Sequence, residues 1–386
     1  MRLGLVGCGA FARFSLALYK KIPGVIIGGV ADIDATSAAR TAAEFDVAVA
    51  DVDELLTSPE IDLVYIATPP AAHHLQARTA LRAGRHVLVE KPLATTVAHA
   101  RELAALADAR GLVCAANLLQ RYNPLATVIG DMIREEVCGR LVHGLLVNDA
   151  SDAGLARRHW FWDRATSGGI FLEHGCHFFD LVASWLGPGE VVAATHGLRP
   201  PPAGSASGFA NGSVNGNGGI EVATPVEEQA FCTCRYGDGQ LFHYEHGFHQ
   251  PAAIERMEIR LVFERGELRL FDWVPTRGVF RGLLDETAAA ALAARLPEGR
   301  LSVLRRFAAS ERRMRGRFRE FEANALVEIT FRLGRSKQDV YGEAVRLLAT
   351  DQIAFIRDPE HQRRLTEADG VAAVAIACAA DRLAAG

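Results

Sequence analysis

The stretch Arg2-Leu3-Gly4-Leu5-Val6-Gly7-Cys8-Gly9-Ala10-Phe11-Ala12 decides the fold of this 386-residue chain. A short strand runs into a G-x-G-x-x-A turn and then into helix formers from Phe11 to Lys21. Each small residue has a task in that setting. Gly7 permits the tight turn, Gly9 lets backbone amides approach a pyrophosphate, and Ala12 allows close packing of helix on strand. Phe11 lies in the first helical turn, whose N-terminus faces the phosphates. Twenty residues beyond Ala12, Val30-Ala31-Asp32 closes a second strand. A carboxylate there accepts hydrogen bonds from adenosine ribose hydroxyls and repels a 2'-phosphate. The pattern predicts a nicotinamide or flavin dinucleotide as ligand, with NAD favoured over NADP.

Outward from this turn, short apolar runs alternate with alanine- and leucine-rich stretches at helical spacing. Strands read at Val25 to Ala31, Leu63 to Thr68, His86 to Glu90 and Leu112 to Ala116, with a weaker one near Val47. The alternation predicts a doubly wound parallel sheet over residues 1–122. Beyond it the pattern changes to longer strands at Arg140 to Asn148, Val191 to His196, Glu227 to Tyr236, Gln240 to His246 and Arg256 to Phe263. Residues 123–386 therefore read as a second, α+β domain with an open, mostly antiparallel sheet. Two features interrupt it: a Gly/Ser/Asn-rich segment over 200–225, expected to be a mobile surface loop, and an alanine- then arginine-rich stretch over 283–322, expected to be a solvated helical insertion.

Composition narrows the function classes. A net charge of -4 gives no global reason to expect nucleic acid or an anionic membrane as partner. No apolar run approaches the roughly 20 residues of a membrane span, and the early first strand leaves no room for a secretory leader, which points to the cytoplasm. Seven scattered cysteines without a C-x-x-C pair suggest neither a disulfide framework nor a zinc site. His243, His246 and His249 tempt a metal reading, but positions three apart on a strand do not share a face, so no metal is expected. Lys20, Lys21, Lys91 and Lys337 are the only lysines among 42 basic residues, so a lysine marks a position where an ammonium is wanted.

Two constellations carry chemistry. Glu90-Lys91-Pro92 ends a strand at the edge where ligands lie in open α/β sheets, and Thr68-Pro69-Pro70, with His73 just beyond, ends another there. An ammonium at Lys91 can hydrogen-bond a substrate oxygen and stabilise charge as a carbonyl becomes an alkoxide. The second constellation runs from Ser167-Gly168-Gly169 through Glu173 and His177 to Asp180. On a helix Glu173 and His177 share a face and Asp180 lies one turn on, so a carboxylate–imidazole proton relay is expected, with a structural histidine pairing as the alternative.

These motifs, together with Gln120-Arg121-Tyr122-Asn123-Pro124, resemble the Gfo/Idh/MocA oxidoreductases, a family of glucose-fructose oxidoreductase, inositol dehydrogenases and many sugar-modifying enzymes. The resemblance covers most of residues 1–124, resumes at 160–187 and weakens in the closing helices. It implies a Rossmann domain followed by an open sheet that binds a sugar-like substrate and mediates homo-oligomers, dimers or tetramers. It also implies proton transfer by Lys91 and His177, and it places Asn117 and Arg121, with neighbouring Tyr122, near nicotinamide or substrate. Two departures stand out. Glu173 replaces the usual aspartate, and Trp160-Phe161-Trp162 replaces a tryptophan–arginine pair, which exchanges a polar contact for aromatic walls suited to a sugar face. The reaction expected is interconversion of a secondary alcohol and a ketone. A redox-neutral reaction on tightly bound NAD, of glycosidase or epimerase type, and a non-catalytic dinucleotide sensor are the alternatives.

Overall fold

The computed structural model describes residues 1–156, 159–199, 226–317 and 319–386. The segment expected to be a mobile loop, 200–225, lies outside the described residues. The N-terminal part runs β1 (Arg2–Val6), α1 (Ala10–Tyr19), β2 (Ile26–Ala31), α2 (Ala35–Phe45), α3 (Val52–Thr57), β3 (Leu63–Ile66), α4 (Pro70–Arg82), β4 (His86–Val89), α5 (Val97–Arg110) and β5 (Cys114–Ala116). Among the described residues its five strands pair in parallel in the order β2-β1-β3-β4-β5. Every residue of β3 is buried, as a strand covered by helices on both faces requires. The weak strand expected near Val47 is only an isolated bridge from Val49 to Val30.

Local chemistry sets the helix ends. Asp34 caps α2 by accepting from the amides of Thr36 and Ser37, and α5 starts at Thr96 and stops at Gly111, whose φ of 63° is costless for glycine. The strand order reverses between β1 and β3, and the loops leaving these two strands therefore bound the crevice where such sheets take ligands.

The second part opens with α6 (Pro124–Arg134) and β6 (Leu141–Ser151), then α7 (Arg164–Ser167), a π-helical turn over Phe171–Gly175, α8 (Cys176–Leu186), β7 (Gly189–Arg199), β8 (Val226–Tyr236) and β9 (Gln240–Gln250). It continues through β10 (Arg256–Phe263), β11 (Gly266–Phe271), β12 (Arg277–Leu284), α9 (Glu286–Arg295), β13 (Arg300–Arg306), β14 (Arg313–Arg315), β15 (Glu320–Glu322) and β16 (Ala325–Arg332), and closes with α10 (Lys337–Arg357) and α11 (Glu367–Ala384). Among the described residues nine strands form one sheet, β13-β16-β12-β11-β10-β6-β9-β8-β7, antiparallel except where β6 meets β9. Its inner face packs on α8, where Phe179 meets Tyr244 edge-on at 4.8 Å. Its outer face carries cross-strand ion pairs such as Arg269–Glu258, at 2.8 Å. The alternation of exposed and buried residues along β10 and β12 follows from that two-sidedness.

One expectation is overturned here. Among its described residues the arginine-rich stretch over 283–322 is helical in α9 and in a single 3-10 turn at Ala309–Glu311; most of the rest is the end of β12, strand β13, which pairs with β16, and the small β14–β15 hairpin. Leu301 and Val303 alternate with more exposed neighbours and sit against the core, so a period of two, not arginine's helix propensity, decides the conformation. Among the described residues no helix is long and apolar enough to cross a membrane.

Candidate active site

Gly7 adopts φ of 93°, and a Cβ there would lie 2.6 Å from the carbonyl oxygen of Ala67, on the loop leaving β3. Only glycine allows the loops of β1 and β3 this approach. A Cβ at Gly9 would meet nothing within 4 Å, so open space lies before α1, and no side chain caps that helix's first turn. Free amides at a helix start, with room before them, form a cradle for a pyrophosphate. Asp32 flanks it, taking the Cys8 amide at 2.6 Å and the Asp34 amide at 2.8 Å, and the next residue, Ile33, is 97% exposed. The residues present thus fit a dinucleotide.

At the end of β4, Glu90 is held between the Tyr65 hydroxyl at 2.6 Å and the Asn117 amide nitrogen at 2.7 Å. Asn117 is fully buried, and its Oδ1 has no partner among the described residues. An acceptor left open in this position awaits a donor from a ligand or water. Lys91 donates to the backbone oxygen of Glu173 at 2.7 Å and also forms an ion pair with the Glu173 carboxylate. Burial pulls the Lys91 ammonium down, but Glu173 outweighs it and leaves the pKa above the ordinary lysine range. Lys91 therefore stays charged, with one of its three N–H donors left over.

The expected proton relay is not formed. Glu173 turns to Lys91, and Asp180 accepts two hydrogen bonds from Arg121, each of 2.7 Å, so neither carboxylate meets His177. The physical reason is the π-helical turn at Phe171–Gly175, which changes the angular offset between Glu173 and His177 from that of a regular helix. His177 is 3% exposed, and its Nδ1 has no partner among the described residues. Burial and the Lys91 ammonium hold its pKa well below the usual imidazole range, so the ring is neutral and able to take a proton. It meets Trp273 edge-on, at 5.2 Å between ring centres.

Other residues singled out in the sequence fall in different places. Arg121 commits its guanidinium to Asp180, to Asp369 at 2.7 Å and to the carbonyl of Arg364, so its role here is to join elements. The Tyr122 hydroxyl, buried, donates to Asp351 of α10 at 2.6 Å. His73 is fully buried with its ring nitrogens 2.8 Å from the Pro92 carbonyl and 2.7 Å from that of Thr68; it clips together the loops after β3 and β4 and does not enter the cleft. Thr68 bonds Gln76, and Pro69 precedes α4 as its N-cap. Trp162 and Phe161 both meet Phe248 edge-on, and Phe248 meets His174, so part of the aromatic wall does reach the π-helical turn; Trp160 lies against His159. On β9, Phe242, Tyr244 and His246 point inward and His243 outward.

Sequence reasoning missed Trp273, Tyr341 and His174. They complete an aromatic run from the glycine turn to the imidazole: Phe11 lies 5.9 Å from Tyr341, Tyr341 5.6 Å from Trp273, and Trp273 next to His177. The one signal was Trp273-Val274-Pro275, an apolar segment in a turn between strands, where polar residues are the rule.

A glycine turn at the start of α1 with Asp32 beside it, in a five-stranded parallel sheet whose β4 leads into a partly exposed Lys91, is the layout of a dinucleotide-binding Rossmann fold. Family comparison agrees: residues 1–118 match the oxidoreductase family with NAD-binding Rossmann fold, and residues 128–269 match the GFO/IDH/MocA C-terminal domain. The chain belongs to the Gfo/Idh/MocA family. It is 32% identical over 203 residues to the 1,5-anhydro-D-fructose reductase of Ensifer adhaerens, covering 50% of this chain and 60% of that one. It is 36% identical over 203 residues to a dTDP-3,4-didehydro-2,6-dideoxy-alpha-D-glucose 3-reductase of Streptomyces antibioticus, covering 52% and 60%. The matches thus span about three fifths of these relatives' length. Among solved structures, levoglucosan dehydrogenase in complex with NADH and L-sorbose superposes with a TM-score of 0.70 at 18% identity, covering 100% of this chain and 96% of that one. A 3-ketoreductase from Actinomadura kijaniata in complex with NADP and TDP-benzene gives 0.70 at 18% identity, covering 99% and 97%.

Proposed function

We propose that the protein interconverts a secondary alcohol and a ketone on a sugar, glycoside or cyclitol, with NAD preferred to NADP. The observation that carries this reading is a charged, partly exposed Lys91 close enough to a buried, neutral His177 to hold its pKa down, at the sheet edge that carries the glycine turn. Bound nicotinamide supplies the hydride acceptor or donor. His177 takes the proton from the substrate hydroxyl during oxidation and returns it during reduction. The spare N–H of Lys91 orients the substrate oxygen and stabilises its developing negative charge. Glu173 fixes Lys91 by side chain and backbone together, so it acts on the ammonium and not on the imidazole. The named relatives support a sugar-like substrate, and the Phe161, Trp162 and Phe248 rings supply the kind of apolar surface on which a sugar face stacks.

The test is absorbance of reduced nicotinamide when the protein, with NAD and separately with NADP, meets a panel of sugars, sugar nucleotides, glycosides and cyclitols. Growth of the signal with one substrate supports the reading. Lys91→Met and His177→Ala should each lower turnover by about 10²- to 10⁴-fold while NAD binding persists. Normal turnover in both variants would refute the roles, and product formed without net cofactor change would replace the dehydrogenase by a redox-neutral enzyme.

A further inference from the structure

We propose that His174 is a positioning residue for this site: it fixes the indole of Trp273, and that indole, in place of a carboxylate, holds the ring of His177. The inference rests on the oxidoreductase reading above and adds a residue to it.

The hydrogen-bond pattern determines the state of each ring. Trp273 Nε1–H donates to His174 Nε2 at 2.9 Å. An indole N–H can only donate, so His174 Nε2 is unprotonated and the proton sits on Nδ1. Nδ1 lies 3.2 Å from His246 Nδ1, which must then accept, leaving the proton of His246 on Nε2. Both imidazoles are therefore neutral, each in a single tautomer, and both are buried. His174 cannot take a substrate proton without giving up Trp273, so its part is to hold and not to titrate.

The backbone beneath Trp273 is pinned as firmly. The Gln120 amide donates to the Trp273 carbonyl at 2.8 Å, and the Asn123 amide donates to that of Pro275 at 2.9 Å. The turn between β11 and β12 is thus tied to the end of the parallel sheet, and the indole is tied to the π-helical turn. Between them the indole presents its ring to His177 at an interplanar angle of 88°. His177 Nδ1 has no partner among the described residues, and Glu173 and Asp180 are bonded elsewhere. A general base without an orienting hydrogen bond depends on packing for its geometry, and Trp273 supplies that packing.

Three substitutions of one residue test this. Glutamine can place Oε1 where His174 Nε2 lies, asparagine reaches only the Nδ1 position, and leucine has no acceptor. In protein with 15N-labelled tryptophan and histidine, without cofactor or substrate, we expect long-range 1H–15N correlations to show His174 protonated at Nδ1. The Trp273 indole N–H resonance should persist in His174→Gln but move upfield and exchange faster in His174→Asn and His174→Leu. Turnover should follow: near wild type for Gln and reduced roughly 10-fold for Asn and Leu, the ratio one ordinary hydrogen bond represents, with KM for NAD unchanged. Trp273→Phe, which keeps an aromatic body and removes the N–H, should match His174→Leu and serves if the leucine variant does not fold. A proton on His174 Nε2, or full turnover in the Leu and Phe variants, overturns the proposal. The expected resonances in a protein inert toward every sugar would instead overturn the oxidoreductase reading and leave the His174–Trp273 lock standing.

Discussion

Replacing Arg121 by methionine should strongly destabilise the protein. The guanidinium joins Asp180 of α8 through two bonds of 2.7 Å and Asp369 of α11 through a third, and the Asp180 side chain has no solvent exposure. Methionine fills similar volume but leaves that carboxylate buried and alone. Removing one partner of a buried pair costs about 3–5 kcal/mol, because the remaining charge has lost both water and its counter-ion. At about 2–4 °C per kcal/mol for a domain of this size, the melting temperature should fall by roughly 10 °C. Burial already pushes the Asp180 carboxyl up to about 7 from the ordinary 3.8, with Arg121 pulling it down, and without Arg121 it rises further. A folded-state pKa above the unfolded one means that stability is lost as pH rises from the unfolded value through the folded value. The deficit of Arg121→Met should therefore be larger at pH 8 than at pH 5.5. Combining it with Asp180→Leu should recover most of the loss, since an apolar pair can replace a buried ion pair at little cost. Calorimetry of the wild type, both single variants and the double variant gives the cycle. A methionine variant within 0.5 kcal/mol of wild type at pH 8, or a double variant no more stable than it, would refute the argument.

Two further outcomes follow from the site. Asp32→Ser removes the charge proposed to repel a 2'-phosphate, while Arg13 and Arg40 lie near enough to act on the neighbouring Cys8 thiol. The NAD-to-NADP ratio of kcat/KM should fall by about 10-fold or more, and an unchanged ratio would show that Asp32 does not select the cofactor. With His177 depressed by burial and by Lys91, kcat/KM for alcohol oxidation should stay level as pH falls to 6.5 and drop only below it, as the imidazole gains its proton. An acid limb centred above pH 7 would assign the base to another group.

Much of this was legible in the amino-acid sequence because the relevant signals are local. The turn around Gly7 and Gly9, the strand ends at Asp32 and Lys91, and the helical repeats of α4 and α5 depend on neighbours a few residues away. What escaped depends on distant partners. Nothing near Asp180 announces Arg121, 59 residues earlier, and nothing near His174 announces Trp273, 99 residues later. Arg121 and Tyr122 sit beside the site in the chain, yet their polar groups are turned toward α10, α11 and α8. The misread stretch after α9 failed for another reason: eight arginines in 300–319 mask a period of two that only Leu301, Val303 and Met314 carry.

The π-helical turn at Phe171–Gly175 makes this site depend on residue number as well as residue type. A π turn bonds one residue further along than an α turn and so accommodates an extra residue. That extra residue lets the Glu173 carbonyl meet Lys91 while His177, four positions on, meets Trp273. Deleting Leu172 would let this turn close as an ordinary α-helical one, with the rest of α8 kept in place and Glu173 swung toward the face of His177. Glu173 would then leave Lys91, even though both charged groups remained in the chain. Point substitutions cannot produce that change, so this segment is constrained in its length as well as in the identity of its side chains.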